Sequence, residues 1–124
     1  MRASGMSSTK DSDDLVNLPG TYEKFRREKP AVARAYESLG KACAEAGPLD
    51  ARTRELVKLA MAIGGRLEGA AHSHVRRALE AGATPEEIRH VVALVVPTLG
   101  FPTMAMAFTW VEDMLGKAGK RKRR

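Results

Sequence analysis

At 124 residues the chain falls within the size range of one domain and can bury one small core. Its 44% hydrophobic and 29% charged residues form a globular balance, which excludes the fibrous and disordered classes. The net charge of +6 is concentrated in the last eight residues, KAGKRKRR, so residues 1–116 are balanced and the body is neutral.

Residues 1–18, MRASGMSSTKDSDDLVNL, lack the apolar core of a signal peptide and read as a polar, poorly ordered lead-in. No run approaches the length needed to span a bilayer, so no membrane role is expected. A helical body is expected over residues 19–116. Pro19 can open a first helix through TYEKFRRE, and Pro30 a second through AVARAYESLGKACAEAG, stopping at Gly47. Cys43, within that second helix, is the only cysteine; a disulfide, a C-x-x-C pair and a thiolate metal cluster are therefore impossible within one chain. This agrees with a reducing compartment, and a cytoplasmic location is expected.

A third helix starts after Asp50, a ready N-cap, and carries Leu56, Leu59, Ala60 and Ile63 at helical spacing until Gly64-Gly65 ends or bends it. The fourth covers the histidine-bearing stretch that Gly82 closes. Thr84-Pro85-Glu86-Glu87 is a capping box with proline at the first helical position, and it opens a fifth helix, EEIRHVVALVV, expected to break at Pro97 and Gly100. Pro102 then starts a sixth through TMAMAFTWVEDML. Strand signals are sparse, with 5% aromatic residues and no Asn-Gly or Asp-Gly hairpin, so the fold class is all-α, a compact bundle of about six helices.

The run VVALVVPTLGFP is apolar on every side and needs cover that a chain this small struggles to provide. A homo-oligomer is expected, with Met104, Met106, Phe108 and Trp110 as candidate interface residues; an ordinary core role for them stays equally open. The closing tail, residues 117–124, has no aromatic or apolar anchor. It reads as a solvated, mobile end, with non-specific contact to nucleic acid through Lys120, Arg121, Lys122, Arg123 and Arg124 as its one polyanion role.

In the fourth helix, Leu67, Ala70, Ala71, His74, Val75 and Ala78 share one face at about 100° per residue. Glu68, His72, Arg76 and Glu80 follow at i, i+4 on another face, which reads as a charged, solvated row. The two histidines therefore diverge, which argues against joint metal ligation; His90 completes no ligand set by spacing, and no metal is expected. His74 reads first as a core histidine satisfied by a carbonyl or carboxylate. The small residues around it leave room for a recess in which imidazole is a usable acid or base, with Glu55 as the candidate carboxylate partner.

Two ordered segments carry a family resemblance over about residues 48–115. His74-Val75-Arg76-Arg77-Ala78-Leu79-Glu80-Ala81-Gly82-Ala83-Thr84, followed by Glu86-Glu87-Ile88, resembles the H-x-R-x-A-L-x-x-G-x-[ST] segment of the carboxymuconolactone decarboxylase-like superfamily, which includes the alkylhydroperoxidase D proteins. Gly100-Phe101-Pro102 with Ala107-Phe108 is similar to its G-x-P-x-x-x-x-A-F. The resemblance implies an alkylhydroperoxidase D-like helical fold, trimeric or hexameric assembly, and Glu55 and His74 as the catalytic residues. Redox members place a C-x-x-C between those two positions; here its cysteines fall on Leu67 and Ala70, which become candidate substrate-binding residues.

Neither leucine nor alanine can attack a peroxide or resolve a sulfenic acid, and Cys43 lies outside the motif. The resemblance then points to the decarboxylase branch: acid/base chemistry without a cofactor on a small organic acid or lactone, with a lyase as the expected enzyme class. Two alternatives stand beside it. One is a non-catalytic helical oligomer that binds a ligand or partner. The other is an alkylhydroperoxidase or peroxiredoxin-type antioxidant, disfavoured by the missing thiols.

Overall fold

The computed structural model describes residues 19–123; the lead-in at 1–18 and the last arginine lie outside the described residues. The described residues are all-helical, with six helices in chain order: α1 (Pro19–Glu28), α2 (Pro30–Ala44), α3 (Ala51–Gly64), α4 (Glu68–Glu80), α5 (Pro85–Leu99) and α6 (Phe101–Arg123). The described residues contain no strand. The helices form two compact units that divide between Pro48 and Leu49.

In the first unit, α1 packs on α2. The Tyr22 hydroxyl donates to Glu37 Oε2 at 2.6 Å, and the Tyr22 and Tyr36 rings meet at 6.1 Å, tilted by 51°. Bonding to a carboxylate favours the neutral phenol, so the Tyr22 pKa is pushed up to about 12. Ala33 is buried, whereas Val32, Tyr36 and Leu39 remain exposed on α2.

In the second unit, α4 packs against α3 and α6, and α5 against α6. Leu59, Ile63, Val75, Ile88 and Val111 are the largest fully buried side chains, and α4 adds Ala71 and Ala78 to the same core. These small residues let neighbouring helices approach α4 closely. Asp50 caps α3 by accepting from the Thr53 N–H at 2.9 Å, and bonding to Thr53, through its side chain first and its backbone second, holds the Asp50 carboxyl below the ordinary range. Arg52 reaches Glu87 at 2.5 Å and ties the start of α3 to the start of α5. Arg89 bridges to Glu112 at 2.8 Å, which joins α5 to α6 and lowers the Glu112 pKa.

Both ends of α4 abut the same hydrogen-bonded turn. After α3, the Leu67 N–H donates to the Ala62 carbonyl at 2.9 Å and the Arg66 N–H to Ile63 at 3.0 Å. After α4, the Ala83 N–H donates to Ala78 at 2.9 Å and the Gly82 N–H to Leu79 at 3.1 Å. Each is a Schellman pattern whose penultimate residue is left-handed. That residue is Gly82, φ 100°, at the second turn but Arg66, φ 58°, at the first. Gly64-Gly65 does end α3, yet neither glycine takes the left-handed conformation.

Three boundaries differ from the sequence reading. First, α5 does not break at Pro97 but runs to Leu99. Proline removes one ladder donor, while the Thr98 hydroxyl donates to the Leu94 carbonyl at 2.8 Å and the Gly100 N–H closes onto Val95 and Val96. The stop is Gly100, with φ 97°. Second, α6 starts at Phe101 rather than Pro102, its first carbonyl acceptor being Gly100, bonded by the Met104 N–H at 3.1 Å. Third, α6 continues through the segment read as a mobile tail, to Arg123. Basic residues near a helix C-terminus complement its dipole, and Gly116 and Gly119 do not interrupt it. Side chains from Arg121 onward lie outside the described residues.

Candidate acid/base site

Because α3 and α4 form a hairpin with a short turn, residues early on α3 meet residues late in the first half of α4. Glu55 lies one turn into α3, after the Asp50 cap, and His74 lies two turns into α4. His74 Nδ1 sits 2.8 Å from Glu55 Oε1, and each side chain is only 16% exposed. The two residues paired in the sequence reading lie in direct contact.

In the tautomer that donates Nδ1–H to the carboxylate, Nε2 carries the ring's lone pair. Partial burial limits competition from water for this bond. An imidazole oriented by a carboxylate in this way is an arrangement suited to proton transfer at its other nitrogen.

The other two expected residues lie on the same side of α4 as His74. Ala70 is half-buried against the core, one turn before His74. Leu67 occupies the N-cap position of α4, makes no side-chain cap and is 57% exposed. Its side chain folds back over Gly65, where an added Cβ would meet Leu67 Cδ1 at 3.4 Å. A row of Leu67, Ala70 and His74 thus runs along α4 with no thiol in it. Cys43 is exposed on α2, in the other unit.

His72 corrects the sequence reading. It was expected in a solvated row with Glu68, Arg76 and Glu80, but it is 3% exposed. It lies about 100° around the axis from Ala71, and α4 packs against both α3 and α6, so its buried stripe is wider than its apolar residues alone indicate. The sequence signal that points to this is the run of alanines, which marks a helix enclosed on more than one side. Glu68 is half-buried rather than fully solvated. His90 is exposed on α5, and no group of three or more histidine, cysteine, aspartate or glutamate residues gathers among the described residues.

A family model described as the carboxymuconolactone decarboxylase family matches residues 30–113. An uncharacterized protein from Haemophilus influenzae is 38% identical over 58 residues, which cover 47% of this chain and 51% of that protein. The chain therefore spans about half the length of this curated relative. The crystal structure of a carboxymuconolactone decarboxylase family protein from Legionella pneumophila, in its apo form, superposes with a TM-score of 0.72 at 26% identity. The superposition covers 86% of this chain and 97% of that one. The family match spans α2 through most of α6, and so takes in both members of the Glu55–His74 pair: the chain belongs to the carboxymuconolactone decarboxylase family.

Proposed function

We propose that the protein is a cofactor-independent lyase of the decarboxylase type, acting on a small organic acid or lactone along the Leu67–Ala70–His74 face of α4. The observation that carries this reading is the 2.8 Å contact between His74 Nδ1 and Glu55 Oε1 in a largely buried setting. Loss of carbon dioxide from a substrate carboxylate leaves an electron pair on the adjacent carbon. His74, protonated beforehand, delivers its Nε2 proton to that carbon, and Glu55 holds the ring and balances the imidazolium charge. Leu67 and Ala70 shape the apolar wall, and their lack of sulfur argues against a dithiol peroxidase. A cytoplasmic location fits the single cysteine, and no described helix is long and apolar enough to cross a membrane.

Assembly into a trimer or hexamer belongs to the same proposal. Leu94, Leu99, Phe101 and Phe108 are exposed on α5 and α6 in the single chain, and copies packed through these helices would cover them. A second reading, a non-catalytic oligomer that binds a ligand or partner, draws on the same surface. Turnover across a panel of lactones and keto acids separates the two. Under the proposal His74→Ala lowers kcat about 10²–10⁴-fold, as for loss of a general acid, and Glu55→Gln lowers it less. Turnover untouched by His74→Ala would sink it. A complete absence of turnover, with ligand binding kept in His74→Ala, favours the non-catalytic reading, and peroxide consumption that persists in Cys43→Ser excludes the only thiol.

A further inference from the structure

Arg76 belongs to the H-x-R segment of α4, yet it has no part in the Glu55–His74 site. Two residues beyond His74 on a helix, it points about 200° around the axis, away from that site. There it lines a cleft of about 610 Å³ between the C-terminal half of α4, the turn into α5 and the C-terminal half of α6. The floor and walls are apolar: Val75 and Leu115 are buried, while Leu79 and Met114 are half-buried against the core. Arg76 Nη2 meets Ser73 Oγ at a long 3.4 Å. Among the described residues, no carboxylate pairs with its guanidinium, although Glu80 stands one turn further along the same cleft.

The geometry points to a second binding site in this cleft, for an amphipathic carboxylate of medium chain length. The volume lies in the range of small-molecule pockets, and such pockets combine an apolar lining with few polar groups. An unpaired guanidinium offers a carboxylate two parallel donors. The apolar residues that line the cleft with Arg76, among them Leu79, Leu115 and Ala118, accept the hydrocarbon. The site lies on the opposite flank of α4 from His74, so its occupant does not compete with the acid/base reaction and the inference does not rest on it.

The test is a titration of the full-length protein with hexanoate, heptanoate, octanoate and octan-1-ol. Calorimetry reads affinity, and ¹³C-methyl spectra of the methionines read location. Affinity is expected to rise about fourfold per methylene from hexanoate to octanoate, following the transfer free energy of a buried methylene. The Met114 methyl should shift while that of Met61, exposed on α3, stays fixed. Arg76→Gln should weaken octanoate at least tenfold and erase its advantage over octan-1-ol, and Arg76→Lys should restore part of it. Ala118→Phe, which fills the cleft from an accessible position, should abolish binding with the helical spectrum unchanged, and His74→Ala should leave binding intact. Equal affinity for octanoate and octan-1-ol, binding indifferent to Arg76→Gln, or an unmoved Met114 methyl would each overturn the assignment.

Discussion

The two turns that flank α4 carry the same pair of backbone hydrogen bonds but different residues at the left-handed position: Arg66 before the helix and Gly82 after it. The turn after α4 follows the usual chemistry, because glycine enters the left-handed region without a Cβ penalty. The turn before α4 has two glycines available and uses neither for that purpose. What fixes its geometry is the distance between the last core residues of α3, Ala62 and Ile63, and the first of α4, Ala71, all buried in one cluster. The hydrogen-bonded pattern is thus set by packing, and residue identity only adjusts its cost.

Four measurements break or sharpen that contrast. The largest effect is expected for Gly82→Ala. The site has open space around the new Cβ, so the loss of about 1–2 kcal/mol comes from left-handed strain alone, and thermal melting should fall by several degrees. Thr84→Ala comes next. It removes the capping box in which the Thr84 hydroxyl accepts from the Glu87 N–H at 3.0 Å, and denaturant unfolding should report a loss of about 1 kcal/mol.

Arg66→Gly should move stability the other way. Relief of the left-handed strain outweighs the extra freedom glycine gives the unfolded chain and the loss of the 3.4 Å contact from Arg66 Nη1 to Met106 Sδ, for a net gain of roughly 0.5 kcal/mol. If it destabilises instead, Arg66 holds its turn through its side chain and the contrast between the two turns fails.

The smallest effect is on acid sensitivity. The Thr84 N–H, first, and then Arg52 hold the Glu87 carboxyl below the ordinary carboxylate range. A lowered folded-state pKa contributes stability above the unfolded value, and this is lost as pH falls through the folded one. Glu87→Gln should therefore flatten part of the decline in urea midpoint between about pH 6 and about pH 3, with little change near neutrality.

Much of this second unit was legible in the sequence because its punctuation is local. Asp50, Gly82 and the Thr84–Glu87 box each act within one helical turn, and each does in the structure what its residue type implies. The residues suggest Glu55 as a partner for His74 and the resemblance names the same two positions; the contact itself depends on how two helices cross, and the structure brings the pair together. The misreadings share a cause. Pro97 looked like a break because its missing donor is a local fact, whereas continuation of α5 depends on bonds made by Thr98 and Gly100. His72 looked solvated because its i, i+4 neighbours are charged, whereas it is buried on a helix that packs against both α3 and α6. The basic tail looked unstructured because it has no apolar periodicity; it extends a helix already anchored by Val111 and Leu115.

The hairpin of α3 and α4 has a kinetic consequence. Glu55 and His74 are separated by 19 positions, and the segment between them contains two helices and a turn stabilised by its own hydrogen bonds. Closing so short a loop costs little chain entropy, and contacts of this separation keep contact order low. The Glu55–His74 contact can therefore assemble with the hairpin itself, ahead of the long-range docking of α6, so that this contact belongs to one contiguous cassette of sequence and not to the finished bundle.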